Sequence, residues 1–215
     1  MKPGLFITFE GLDGTGKSTQ LRRAVRYIRA CGQRVLVTRE PGGTRTGERV
    51  RDILLAPKTG KLTPLAELAL MYAARAQLLD ERVRPALARG EVVVSDRYNT
   101  ASFAYQGYGR KLGTATVRAF DRVICGKTQP DLTIILDLDP ERALGRALGR
   151  GTGRRSRLDR IEAQGLAFHK RVRAGYRAIA RRAPGRIKVV RADQSIDGLE
   201  RQIRALIEPL LAQRA

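Results

Sequence analysis

Gly11-Leu12-Asp13-Gly14-Thr15-Gly16-Lys17-Ser18 constrains this chain more than any other stretch. Glycines at that spacing let consecutive backbone N–H groups converge on phosphate oxygens, the lysine amine reaches the β- and γ-phosphates, and the serine hydroxyl ligates Mg²⁺. The flanks fit this use. Leu5-Phe6-Ile7-Thr8-Phe9 reads as an apolar strand, and Leu21, Ala24, Val25 and Ile28 recur at helical spacing behind the loop. The helix that follows adds its positive N-terminal end. Gly11, Leu12, Asp13, Gly14, Thr15, Gly16, Lys17, Ser18 and Thr19 are therefore assigned to a nucleoside triphosphate.

Short apolar runs at 5–10, 34–38, 92–95, 131–137 and 187–191 read as strands, and helical patterns fill the intervals at 17–30, 46–55, 65–89, 114–126, 140–148, 158–182 and 196–213. Asp139-Pro140-Glu141 and Ser195 with Asp197 look like helix starts. This alternation predicts an α/β fold: one domain over residues 1–215, an about five-stranded parallel sheet with helices on both faces. The strand C-terminal ends then line one crevice with the phosphate loop. The Gly- and Arg-rich stretch at about 149–157 is expected to be a short mobile lid over the triphosphate.

The 215 residues carry a net charge of +21, from 34 arginines and 8 lysines against 21 acidic residues. The arginines are spread from Arg22 to Arg214 and aromatics make up only 5% of the chain, which leaves few platforms for stacking single strands. No specific nucleic-acid partner is expected. Cys31 and Cys125 lack metal-ligand spacing and read as reduced thiols, and the single histidine, His169, is expected in a surface or partly packed role. No apolar stretch approaches the ~18 residues needed to span a bilayer, and the N-terminal residues do not resemble a signal peptide, so a cytosolic protein is expected.

Phosphate loops serve GTPases, motors and kinases alike. The guanine-reading Asn-Lys-x-Asp segment is absent from the sequence. Arg39-Glu40-Pro41-Gly42-Gly43-Thr44 after the second strand can bring a guanidinium and backbone to an anion, and Asp96-Arg97-Tyr98 after the third offers a carboxylate for Mg²⁺ through water and an arginine for phosphate. These features favour a small kinase with an anionic acceptor. A kinase for another nucleotide or deoxynucleoside, and a nucleic-acid-associated NTPase, are the alternatives.

Nearly end to end, the chain resembles the bacterial thymidylate kinases. The resemblance rests on residues 9–18, on 38–44, on Tyr72-Ala73-Ala74-Arg75, on Asp96-Arg97-Tyr98, on Ala104-Tyr105-Gln106-Gly107, on Pro130-Asp131-Leu132-Thr133 and on Leu158-Asp159-Arg160-Ile161-Glu162. It implies MgATP as donor, dTMP as acceptor, direct in-line transfer to give dTDP, and a homodimer. It further implies that Arg97, helped by Arg39 and Arg51, holds the acceptor phosphate, with Asp13 near the acceptor sugar and metal site. Arg75 would donate to thymine O4, Ser102 would reach N3, Tyr105 would crowd a ribose 2′-OH, and Gln106 belongs with these acceptor residues. Ser18 and Asp96 would serve the metal.

Two positions depart from the family pattern. Met71 stands where the family usually stacks thymine on a Phe, and the lid is several residues longer. Gly14 also occupies the place where some members carry a catalytic arginine, so Arg146 and Arg150, with Arg154 or Arg155 as substitutes, are expected to neutralise the transferring phosphoryl beside Lys17, Asp13 and Arg97.

Overall fold

β1 (Leu5–Gly11) is buried over its whole length, and it runs up the middle of a parallel sheet in the order β2-β3-β1-β4-β5. β2 (Val35–Arg39), β3 (Val92–Asp96), β4 (Leu132–Asp137) and β5 (Ile187–Arg191) complete it in this computed structural model, which describes residues 4–149 and 159–214. Burial on both faces accounts for the near-continuous apolar runs of β1, β3 and β4. The chain moves first to the β2 and β3 side of β1 and then crosses to β4, so the loop after β1 stands where the winding reverses.

Alternate side chains sort into two layers of core. Leu5, Ile7 and Phe9 pack with α1 (Lys17–Ala30), α8 (Leu166–Arg182) and α9 (Ile196–Ala212). Phe6 and Val93 face the opposite layer, built by α3 (Pro64–Leu78), α4 (Arg84–Ala88) and α6 (Thr114–Ile124). α2 (Arg45–Leu55) packs beside α3 over the strand ends. α7 (Pro140–Leu148) starts as its sequence predicts, with the Asp139 side chain accepting from Glu141 N–H, and Ser195 caps α9 through Gly198 N–H.

Three helical expectations need correction. The helix expected over 65–89 is interrupted by a π-turn at Leu79–Val83, where Arg84 N–H reaches back five residues to Leu79 O. Pro85 lacks an amide, and the wider turn absorbs that missing bond. Residues 99–109, to which the sequence pattern assigns no helix, are helical: α5 (Asn99–Ser102) passes into a second π-turn at Phe103–Gly109. The helix expected from 158 begins only at Leu166, because Asp159 Oδ1 accepts from the amides of Ile161 and Glu162 and ties that stretch into a turn. Leu158 and most of the expected lid, Arg150, Arg154 and Arg155 among it, lie outside the described residues.

Among the described residues no helix is long and apolar enough to cross a membrane. Cys31 is exposed and Cys125 buried, both free. His169 is buried against Phe168, more deeply packed than its sequence context predicts.

The packing of α8 on the second π-turn carries the wall of the crevice. A Cβ on Gly175 would lie 2.8 Å from Tyr108 Cγ, so α8 approaches as closely as glycine permits. Gly175→Ala is expected to lower stability by about 1–3 kcal/mol in urea denaturation, although alanine favours a helix. Unchanged stability would mean that the Tyr108 ring moves aside freely.

Candidate active site

The phosphate loop is held from within. Gly14 has φ +84, and a Cβ there would fall 1.9 Å from Ala143 O, so this position admits no arginine without moving α7. Thr15 Oγ1 donates to Leu12 O at 2.8 Å, and Lys17 Nζ donates to Leu12 O at 2.9 Å and to Asp13 Oδ1 at 3.3 Å. Burial lowers the Lys17 pKa, and the Arg97 charge pushes the same way against Asp13.

Arg97 joins this loop to the end of β3. Its Nη2 lies 2.9 Å and 3.0 Å from the two Asp13 oxygens, and Nη1 donates to Gly11 O at 3.0 Å and to the Tyr176 hydroxyl at 3.3 Å. Arg97 adopts φ +69, a costly backbone for a non-glycine residue. Tyr105 lies under its guanidinium at 4.9 Å. Burial alone would raise the Asp13 carboxyl, but the Arg97 and Lys17 charges overcome it and hold it below the usual carboxylate range.

Glu10 supports this corner from below. It is fully buried, accepts from Tyr98 N–H and from the Tyr176 hydroxyl, both at 2.8 Å, and burial pushes its pKa up to about 7 against the pull of Arg97.

A cleft opens beside Asp13 and Arg97 and is lined by Arg51, Met71, Arg75, Ser102, Tyr105 and Gln106 as well. Arg75 is 2% exposed and almost completely engaged: Nε donates to Glu40 Oε2 at 2.7 Å, and Nη2 to Tyr98 O at 3.1 Å and Ser102 Oγ at 3.0 Å, while the guanidinium lies 4.3 Å from the Tyr72 ring. Its Nη1 and the Glu40 Oε1 have no hydrogen-bond partner. A buried donor left open beside a cleft is costly and is kept where a ligand supplies the acceptor.

Gln106 does more than line the cleft. It donates to Glu67 at 2.8 Å, and Glu67 also takes ion pairs from Arg110 at 2.9 Å and Arg160 at 2.7 Å. Burial opposes ionisation of Glu67, yet Arg110 and these other donors lower its pKa. Arg160 also bonds Leu54 O and Leu55 O, so the turn at 159–164 is bolted to α2 and α3 above the cleft.

Between cleft and loop, a polar depression brings Lys17, Ser18, Arg39, Arg51, Asp96 and Arg97 together. Ser18 is exposed, and Asp96 shares the depression, which suits a hard cation held chiefly by phosphates and water. No group of three or more His, Cys, Asp or Glu suited to a metal occurs among the described residues. Arg51 Nη1 donates to Pro41 O and Arg39 pairs with Glu48, both at 2.9 Å. Arg146 lies on the other side of the loop, in a depression with Thr19, Gln20, Ala192 and Gln194, and donates to Ala192 O at 3.3 Å.

Sequence reasoning missed Glu67 and Tyr176 as parts of the site and gave no role to Glu10 and Glu40, although both stand inside its motifs. A lone acid at the end of an otherwise apolar strand was a signal for Glu10; Tyr176, one aromatic on a basic helix, gave none.

Glu10 predicts a pH effect. Its folded pKa is raised above the ordinary 4.5, so its stabilising contribution is fully present below about 4.5 and is lost as pH rises through about 7. Glu10→Gln cannot titrate and is expected to gain about 1–3 kcal/mol over the parent protein between about pH 5 and about pH 8 in urea denaturation. A pH-independent difference would mean that Glu10 titrates as an ordinary carboxyl.

The Thymidylate kinase family model matches residues 9–203. The thymidylate kinase of Pseudomonas syringae pv. syringae is 47% identical over 208 residues, 97% of each chain, and that of Solidesulfovibrio magneticus is 46% identical over 209 residues, 96% of this chain and all of that one. A crystal structure of thymidylate kinase from Ehrlichia chaffeensis covers 96% of this chain and 99% of its own with a TM-score of 0.76 at 30% identity. Loop, cleft and relatives agree, and the chain belongs to the thymidylate kinase family.

Proposed function

We propose that this dTMP kinase binds its acceptor in the cleft beside Arg97 and reads thymine with Arg75. The open Nη1 of Arg75 carries this reading, because a fixed donor facing the base suits the O4 carbonyl of thymine and leaves the amino group of cytosine unpaired. Ser102 accepts from Arg75 with one lone pair of its hydroxyl and has a second with which to accept from the N3–H of thymine. Met71 covers one face of the ring with a flexible thioether, and Tyr105 fills the space beside the sugar.

The acceptor phosphate displaces part of the Asp13 contact with Arg97 and is shared with Arg51 and Arg39. It is already an anionic nucleophile, so transfer from ATP requires alignment and charge neutralisation more than a general base. Lys17 and the loop amides hold the donor phosphates. Mg²⁺, held by Ser18 and through water by Asp96, would neutralise charge on the β- and γ-oxygens. Arg146, which lines a depression beside the loop with Gly14, Thr15 and Gly16, and Arg150, with Arg154 or Arg155 as substitutes, are the candidates for neutralising the transferring phosphoryl group.

We also infer a homodimer and a cytosolic setting. α3 and α6 pack together and leave Leu65, Ala69, Ala73, Ala115, Ala119 and Val123 exposed at i, i+4 spacing, with Val123 84% exposed.

Arg75→Lys keeps the charge opposite Glu40 but loses the guanidinium fork. Its ratio of kcat/KM for dTMP over dCMP is expected to fall at least about tenfold, and Arg75→Gln is expected to fall similarly while also losing stability, since Glu40 is left buried and unpaired. An unchanged ratio in both variants would remove Arg75 from base recognition. For the assembly, Val123→Glu is expected to shift sedimentation from dimer to monomer; a dimer of unchanged affinity would place the interface elsewhere.

A further inference from the structure

The catalytic reading uses few of the 34 arginines, and one unused group is not scattered. α1 carries four arginines and no acidic residue. Arg23 turns toward α9 and pairs with Asp197 and Glu200. Arg22, Arg26 and Arg29 are exposed, and their side chains make no hydrogen bond or ion pair among the described residues. Some helix arginines elsewhere are matched within a turn, Arg204 with Glu200 and Arg84 with Asp80, while others such as Arg118, Arg122, Arg181 and Arg182 are exposed without a side-chain partner among the described residues. What sets the α1 arginines apart is that three of them line one depression. Like charges at i, i+4 cost about 0.2–0.5 kcal/mol per pair.

These three arginines wall a shallow depression over Leu21, Val25 and Val37. A second depression shares Leu21, Arg22 and Val37 with it and continues past Arg39 and Arg82 to Glu48, Ser18 and Asp96, where it meets the phosphate site. The two form one groove along the outer side of β2, an edge strand paired only with β3. At 1.5 Å rise per residue, Arg29 lies about 17 Å along the helix axis from Ser18, beyond the reach of a triphosphate held in the loop.

We propose that this groove binds the phosphate backbone of duplex nucleic acid without reading its sequence. A row of unpaired guanidiniums suits a polyanion of regular charge spacing, and each contact gains by releasing condensed counterions. Among the described residues lining the groove, Val37 alone is an exposed large apolar side chain, at 37%, too little apolar surface to insert into a lipid surface. α1 offers no stacking platform for single strands either, since Tyr27 lies under Arg204 and donates to Glu208.

The test is fluorescence anisotropy with labelled duplexes of about 20 base pairs and two unrelated sequences, from about 50 to about 200 mM KCl. The native chain is compared with Arg22→Gln/Arg26→Gln/Arg29→Gln and with Arg181→Gln/Arg182→Gln/Arg186→Gln, which removes equal charge from exposed positions near β5, the opposite edge. Both duplexes are expected to bind native protein equally. The α1 triple variant should bind at least about tenfold more weakly, with the slope of log K against log salt reduced by about 2.7, and should keep its dTMP kinase activity. The control triple variant should change less than about threefold. Equal losses in both variants would reduce the effect to net charge and overturn the proposal. So would a loss in neither, a clear preference for one sequence, or tighter α1-dependent binding to phosphatidylserine vesicles than to duplex.

Discussion

The bond between the two oxygens of Asp13 and the guanidinium of Arg97 is the contact on which the site turns. It ties the loop after β1 to the residue after β3, two segments that the sheet brings side by side through the register of Phe9 with Asp96. Arg97 N–H donates to Phe9 O, so the left-handed backbone at Arg97 is fixed at both its amide and its side chain. Breaking such a pair from one side costs about 3–5 kcal/mol where both groups are dehydrated. Arg97 is 15% exposed and Asp13 33%, so water already offsets part of that cost, and an incoming phosphate can exchange with the carboxylate.

Arg75 and Glu40 show the opposite balance. At 2% and 4% exposure, neither can exchange its partner for water. Burial pushes the Glu40 pKa up against the Arg75 charge that opposes it, and the pair persists because Tyr98 O and Ser102 Oγ take other guanidinium protons. The outcome is orientation: three of the donors on Arg75 are committed, and the direction of Nη1 follows from them. Glu67 does comparable work at the roof, where one carboxylate draws α3, the second π-turn and the turn at 159–164 together. Fixed donors cost no reorganisation when a ligand arrives.

What sequence made legible follows from how local each interaction is. The phosphate loop, the five strands and the caps at Asp139 and Ser195 rest on neighbours within a few residues, and all were readable. The helical run at 99–109 was not, because it is buried on several sides and carries Gly107 and Gly109, so no 3.6-residue apolar stripe survives. Gly109 is small because Phe168 sits where its Cβ would project, a contact between residues distant in sequence. The bends at Pro85 and Asp159 had local causes, but each competed with a strong helical pattern and won.

Arginine serves here in three settings that burial separates. Arg75 is sealed in and specifies a direction; Arg97 is half-released and trades one anion for another; Arg22, Arg26 and Arg29 stand in water and contribute field. A lysine would serve in the last setting about as well, since screened charge is all that is required. It would fail in the first, where a single ammonium has no fork with which to hold Glu40, Tyr98 O and Ser102 together while keeping one further donor open. Composition therefore counts these residues alike, whereas the fold distinguishes them by how much water each can reach.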